Sequence, residues 1–251
     1  MAIFRTLLRR AFSSPLLYVS ILLVPVMLWI PMANTSLLRH PASEIIDIAL
    51  TGNGCIYLYA LCILPAIPFV MSYVDDSDTN MLSYWAIRAG SRSYAVAYVG
   101  VVMLTGFLTV FVGISLFLAV LVCCGHPLGG NNSPPYGALY AAGHTYLYNL
   151  CLLLTWSTGG MSMAAIAAAA AACFRHKVGA VVTPISVQAL LYLFMDYTNP
   201  FDVHSLLFGN RVSLGTSPLV QLAGQFFFSL VYCGIAGCIA VWSIKRRVKH
   251  G

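Results

Sequence analysis

The sequence predicts an all-α, polytopic membrane protein with six transmembrane helices, an N-terminal interfacial amphipathic helix and both termini in the cytoplasm. Three observations predict this class. Hydrophobic residues make up 60% of the chain and charged residues only 8%, whereas a soluble domain carries about 25% charged residues. Apolar stretches recur at lengths that can cross a bilayer. The basic residues collect in alternate connections between these stretches, as the positive-inside rule describes.

The chain is predicted to begin with an interfacial helix over residues 1–13. Its apolar residues, from Phe4 to Ala11, would share one helical face, with Arg5 and Arg9 on the opposite face and Arg10 at its flank. The apolar run over residues 15–33 is the first predicted span. A cleavable signal peptide would instead need a short apolar core and a small-residue cleavage site.

The remaining elements follow from charge and from turn-forming residues. Pro65 and Pro68 should kink the second span. The polar residues 34–53 are predicted to be a connection, and the Gly-, Pro- and Asn-rich residues 124–137 should separate the third span from the fourth. The fourth span ends in an alanine-rich run, which predicts a central helix because small residues allow close helix approach in lipid. The spans after the first are predicted over residues 54–74, 95–123, 146–173, 178–195 and 219–244.

The charge distribution predicts the orientation in the membrane. Eleven of the 13 Lys and Arg residues fall on one side of the predicted topology, and the other side carries only Arg39 and Arg211. This places both termini and the segment over residues 75–93 in the cytoplasm. The bilayer accounts for the net charge of +6, so no nucleic-acid partner is expected. No shift in composition marks a second domain, so residues 1–251 are predicted to form a single transmembrane domain.

The segment over residues 75–93 is predicted to contain a short helix of about three turns. Asp78 can cap a helix that begins at Thr79, Gly90 can end it, and Ser91 or Ser93 can cap the long helix that follows. The residues predicted to share its apolar face are Met81, Leu82, Trp85 and Ala89. Such a helix at a membrane surface suits a protein that a partner moves. The alternative is an interfacial loop that only joins two helices.

The sequence lacks the residues that several functional classes require. The predicted spans hold no ionisable residue at mid-depth, since Asp196 falls at the end of the fifth span, and ion-driven transporters usually need one there. GxxxxGK[ST], HExxH and GxSxG are all absent. The chain is therefore predicted to be a non-catalytic membrane subunit without its own cofactor, whose ATP and Mg²⁺ would be bound by a partner chain.

The same features resemble the permease subunits of export-type ABC transporters, the type-two permeases. The resemblance rests on six predicted spans in 251 residues, the basic entry helix, and an acidic segment followed by a short helix and RAGSRSY. In that family the cytoplasmic segment is a coupling helix that docks on an ATPase subunit. Where family members usually have Glu and a following Gly, this chain has Asp and then Asn80 or Met81.

The resemblance implies roles for individual residues. Asp75 or Asp76 matches the acidic position of the family, Arg88 and Arg92 its basic pair, and Tyr94 the aromatic that begins the third span. With the apolar face of the short helix, the ATPase-coupling residues are predicted to be Asp75, Asp76, Met81, Leu82, Trp85, Arg88, Arg92 and Tyr94. The family also folds part of the connection between spans five and six back into the membrane, and residues 200–215 match that part.

The resemblance also implies partners, a substrate class and a location. Two such subunits, identical or paralogous, would form a pathway in a bacterial plasma membrane, and two ATPases would move their coupling helices. The expected substrate is an amphiphile such as an antimicrobial peptide, a drug or a lipid. The alternative from a different class is a non-transporting scaffold or sensor that binds a cytoplasmic partner through residues 75–93.

Other polar residues allow two interpretations each. Gln188, Gln221 and Gln225 could line the substrate pathway or form helix-to-helix hydrogen bonds, which are worth roughly 0.6 kcal/mol each in lipid. Cys55 could form a disulfide with Cys123 or Cys124, whereas cysteines inside spans usually pack as small hydrophobic residues. Four histidines are predicted on the outer side with irregular spacing, which is typical of solvated loops and not of a metal site. They are His40, His126, His144 and His204.

Overall fold

The computed structural model describes residues 2–30, 40–51, 61–79, 81–130, 132, 135–174, 176–193 and 217–250. No strand occurs among these residues, in agreement with the predicted all-α class. The helices are α1 (Ala2–Phe12), α2 (Pro15–Trp29), α3 (Ala42–Thr51), α4 (Ile67–Asp78), α5 (Met81–Ala89), α6 (Ser91–Cys123), α7 (Gly137–Ala141), α8 (Thr145–Phe174), α9 (Lys177–Leu193) and α10 (Pro218–His250).

The described residues contain three to four candidate membrane spans. α6, α8 and α10 are long and apolar enough to cross a bilayer. α1 and α2 meet at an angle of 55° and make a fourth span if the bent pair is counted as one. α9 is apolar but shorter. The six-span arrangement therefore stays a prediction, while a helical protein with several candidate membrane spans is confirmed.

The predicted second span is only partly described. Residues 61–63 are helical, residues 64–66 form a turn, and α4 begins at Ile67. Pro68 lies in the first turn of α4, where a missing backbone N–H costs no helical hydrogen bond. The interruption around Pro65 confirms the predicted kink. Residues 52–60 and the predicted re-entrant residues 200–215 lie outside the described part of the chain.

α8 is the central helix of the bundle, as its alanine-rich sequence predicts. Its best 18-residue window is 72% buried, compared with 39% for the corresponding windows of α6 and α10. Its hydroxyl side chains are buried too, and they bond to carbonyls of their own helix: Ser157 donates to Leu153 O at 2.6 Å and Thr158 to Thr155 O at 2.7 Å. These bonds satisfy polar groups that lipid would leave without a partner.

α6 and α8 approach each other closely at two glycines. A Cβ added to Gly106 would overlap the Cβ of Ala164 and lie 3.1 Å from Gly160 O. A Cβ added to Gly160 would overlap Cγ2 of Val110. Both helices therefore depend on the absence of a side chain at these positions, which is how small residues bring helix backbones together in a membrane.

The predicted polar connection over residues 34–53 is wrong in one respect, because it contains α3. Ala42, Ile45, Ile46 and Ala49 are buried against the rest of the bundle. α3 is also hydrogen-bonded to the predicted turn-rich loop. The backbone N of Ala42 donates to Pro127 O at 3.0 Å, and the side-chain Oγ of Ser43 donates to Gly129 O at 2.6 Å. α3 is therefore packed into the bundle at the end that carries Pro127 and Gly129.

Candidate functional site

The short helix of the central segment exists, but its predicted start is wrong. α4 continues through Asp78, and Thr79 closes it by donating to Asp75 O from its backbone N at 3.0 Å and from Oγ1 at 2.7 Å. These two hydrogen bonds extend the preceding helix through Asp78. Asp78 therefore caps no following helix, and α5 begins at Met81.

The predicted end of the short helix is confirmed. α5 ends at Ala89, and Gly90 has a φ of 80°, a conformation that favours glycine. The predicted serine cap of the next helix is wrong, since Gly90 occupies the N-cap position of α6 and Ser91 is already helical.

α5 packs by one face and exposes the other. Leu82 is buried and Trp85 is half-buried against the bundle. Met81, which was predicted beside them, is exposed instead. Neighbouring helical residues lie about 100° apart, so Met81 points away from the direction in which Leu82 is buried.

The exposed face of α5 carries two residues that sequence reasoning missed, Tyr84 and Ile87, beside the predicted Arg88. Ile87 is 87% exposed, and Tyr84 is exposed on the same side. Arg88 Nη1 donates to the hydroxyl of Tyr84 at 2.9 Å, one turn away. The spacing of Tyr84, Ile87 and Arg88 at i, i+3 and i+4 is the available sequence signal, since such residues lie side by side on a helix. These three residues form the outer face of α5.

The two predicted acidic residues have different surroundings. Asp76 is only 3% exposed, and Arg10 Nη1 donates to both of its carboxylate oxygens at 2.8 Å. The hydroxyl of Tyr94 donates to Oδ2 of Asp76 at 3.4 Å. This buried carboxylate thus joins α1, α4 and α6. Arg10 was predicted only as a flanking residue of the entry helix, and no local pattern indicates its partner.

Of these two aspartates, Asp75 is the one at the surface. Its side chain is half-exposed, and it pairs with Lys177 Nζ at 2.5 Å at the start of α9. The hydrogen bond from Lys177 to Asp75, and then the negative charge of Asp75, raise the pKa of the Lys177 ammonium. Exposed ion pairs of this kind contribute little to stability. A partner that needs an acidic contact on this segment would therefore meet Asp75, not Asp76.

Tyrosine rings of α4 and α6 form a packed layer in the same core cluster as Leu82 of α5. Tyr94 and Tyr98 of α6 stack with ring centroids 6.4 Å apart, and Tyr73 of α4 lies 5.2 Å from Tyr98. All three side chains are buried. Tyr94 therefore points inward, to Asp76 and the tyrosine layer.

Basic side chains lie together at the end of the bundle that carries α5. Arg92, at the start of α6, lines one groove with Lys245 and Arg246 of α10. Arg247 donates to the carbonyl of Cys173 at the end of α8. The grouping agrees with the side assignment made from the sequence. Which side of a membrane this end faces stays a prediction.

The predicted pathway glutamines are all buried. Gln188 of α9 and the pair Gln221 and Gln225 of α10 lie inside the helix packing, and α9 and α10 both contact α8. None of the three lines the groove between α6 and α10. Burial suits both a pathway lining and a helix-to-helix hydrogen bond, so the pathway role stays a prediction.

At the opposite end of the bundle, one prediction about histidine is wrong. His126 was predicted in a solvated loop, yet it is buried, with Nδ1 3.2 Å from His40 O. The hydroxyls of Tyr136 and Thr155 lie 2.7 Å apart, and burial raises the pKa of Tyr136 to about 12.

Cys55 and His204 lie outside the described residues. Within the described residues, no group of three or more His, Cys, Asp or Glu side chains could hold a metal ion.

No family model, curated protein or solved structure matches this chain.

Proposed function

We propose that this protein is the transmembrane permease subunit of an ATP-driven ABC exporter, with six spans and the end that carries α5 in the cytoplasm. The observation that supports this proposal best is α5 itself. It is a nine-residue helix that packs by Leu82 and presents Tyr84, Ile87 and Arg88 outward. An aromatic, an aliphatic and an arginine side chain on one exposed helix face are typical of an interface centre.

The surroundings of α5 suit the transmission of a push from an ATPase. Asp76 and Arg10 tie the preceding helix to the entry helix, and the tyrosine layer supports the following helix. A partner that moves α5 would therefore act on α1, α4 and α6 together. ATP and Mg²⁺ would be bound by the separate ATPase chain, and a second permease, identical or paralogous, would complete the pathway.

The proposed substrate is an amphiphile, such as an antimicrobial peptide, a drug or a lipid. Apolar side chains dominate the surfaces of α6 and α10, so a substrate that partitions into the bilayer would reach the bundle from within the membrane. In this proposal the buried glutamines of α9 and α10 supply the polar lining of the pathway.

The first experiment is purification of the full chain from its native membrane in a mild detergent, with partners identified by mass spectrometry. We expect a soluble ATPase at one copy per permease. Recovery of the chain alone, or with non-ATPase partners across several detergents, would contradict the exporter proposal and favour a scaffold or sensor that binds through α5.

Ile87→Asp tests the role of the outer face of α5. The variant should reduce ATPase recovery at least tenfold, because an exposed apolar anchor at the centre of an interface is replaced by a charge. Transport that depends on the ATPase should be lost to the same extent. The matched control is Phe174→Asp, which places the same charge at an exposed apolar position at the end of α8 and should retain the partner.

The folded state of both variants is compared by thermal unfolding in detergent. Ile87 is almost fully exposed, so its substitution should leave the unfolding midpoint unchanged. Undiminished ATPase recovery with Ile87→Asp would show that the outer face of α5 is not the docking surface.

A further inference from the structure

A groove with a volume of about 1020 Å³ runs between α6 and α10. Its apolar walls include Val96 and Met103 of α6 and Leu230 and Val241 of α10. The floor is open at Gly234, where an added Cβ would meet no atom within 4 Å. Both helices are candidate membrane spans, so the groove would open towards lipid.

One end of this groove is basic. Arg92 is the second residue of α6, and Lys245 and Arg246 lie near the end of α10. The guanidinium of Arg246 lies 5.4 Å from the ring centroid of Trp242, which also lines the groove. No acidic side chain is among the described residues that line it. An anionic group would therefore meet three cations here, while the rest of the ligand would meet apolar side chains.

The length of the groove matches one leaflet of a bilayer. Arg92 and Met103 of α6 both line it, and eleven residues of helix span about 17 Å. Leu230 and Arg246 of α10 line it too, and sixteen residues span about 24 Å. Half of a bilayer is about 15 Å for the hydrocarbon core and about 20–22 Å with the headgroup layer. A molecule with its charge at Arg92 would thus extend an apolar part along α6 to the middle of the membrane.

We propose that the groove between α6 and α10 binds one anionic phospholipid, with its phosphate at Arg92, Lys245 and Arg246 and an acyl chain beside Gly234. Charge complementarity at the basic end and the one-leaflet length together specify this occupant. The proposal does not depend on the transport function, because it concerns the purified chain alone.

The test is native mass spectrometry of the delipidated full chain in detergent, titrated with phosphatidylglycerol or with phosphatidylcholine of the same acyl chains. The wild-type protein should retain one phosphatidylglycerol in preference to phosphatidylcholine. Arg92→Gln/Arg246→Gln should weaken phosphatidylglycerol binding by roughly 25-fold, which corresponds to about 1 kcal/mol for each basic residue near an anionic lipid. Equal retention of the two lipids by the wild-type protein would overturn the proposal.

Two matched controls separate the groove from general effects of charge and bulk. Arg5→Gln/Arg9→Gln removes two exposed arginines of α1 that do not line the groove and should leave the affinity within about twofold. Gly234→Leu fills the open floor and should weaken binding at least tenfold, whereas Ala223→Leu places the same side chain at an exposed position of α10 outside the groove and should not.

An equal loss with both arginine pairs would overturn the proposal, as would unchanged binding with Gly234→Leu. If Gly234→Leu instead converts a dimer of the chain into a monomer without changing the number of bound lipids, the groove is an interface between two copies. That result would also overturn the lipid site.

Discussion

Gly106→Ala is expected to lower the free energy of unfolding by about 2 kcal/mol, the cost of overpacking a well-packed contact. Alanine is the better helix former by up to about 1 kcal/mol, so propensity alone predicts the opposite sign. The clash decides, because the new methyl group would overlap the Cβ of Ala164 and lie 3.1 Å from Gly160 O. The measurement is denaturation of the purified protein by sodium dodecyl sulfate in mixed micelles, followed by circular dichroism.

The steric cause can be separated from other effects by a compensating substitution. Gly106→Ala/Ala164→Gly moves the methyl group from α8 to α6 and should return the stability to within about 1 kcal/mol of the wild-type value. Gly234→Ala is the control for helix propensity, since its Cβ meets nothing within 4 Å, and it should stabilise by roughly 0.5–1 kcal/mol. If the double variant is as unstable as Gly106→Ala, the close crossing of α6 and α8 is not the cause.

The long helices could be predicted well from the sequence, because their signal is local. Residues 95–123 and 146–173 were predicted as spans, and the helices run over Ser91–Cys123 and Thr145–Phe174. Absence of charge and the turn-forming residues between them fix these elements without any knowledge of neighbours. The central place of α8 could be predicted for the same reason, since its small side chains are visible in the sequence.

α3 could have been predicted from the same kind of signal. Ala42, Ile45, Ile46 and Ala49 follow the i, i+3, i+4, i+7 spacing of an amphipathic helix. The charges of Glu44 and Asp47 made the segment look like a polar connection. They lie in the part of α3 that is not fully buried, so charge content concealed a helix that periodicity indicates.

The surroundings of the central segment could not be predicted from local patterns. Asp75 and Asp76 are adjacent and chemically identical, and the packing of α1 and α6 against α4 determines that Asp76 is the buried one. The boundary at Thr79 is similar, because Asp78 is a good N-cap residue but the two bonds from Thr79 to Asp75 O extend α4 instead. At this boundary two local preferences compete for the same residues, and the sequence pattern alone does not show which of them prevails.

Arg10→Met is expected to lower the free energy of unfolding by about 2 kcal/mol. Breaking a fully buried ion pair costs about 3–5 kcal/mol and breaking an exposed one at most about 1 kcal/mol. The pair lies between these limits, because the side chain of Asp76 is 5% exposed and that of Arg10 is 41% exposed. Methionine keeps most of the apolar stem, so the loss reports the charge and its two hydrogen bonds. The measurement is the same denaturation in mixed micelles.

A double-mutant cycle identifies the pair as the source of this loss. With Asp76→Asn the carboxylate charge is removed, so Arg10→Met should then cost about 1–2 kcal/mol less than it does in the wild-type protein. Arg9→Met is the matched control, since Arg9 is exposed on the same helix and should change the stability by less than about 0.5 kcal/mol. A cycle without coupling would mean that α1 is held only by its apolar face, through Leu7 and Ala11. The entry helix could then not respond through Asp76 when a partner moves α5.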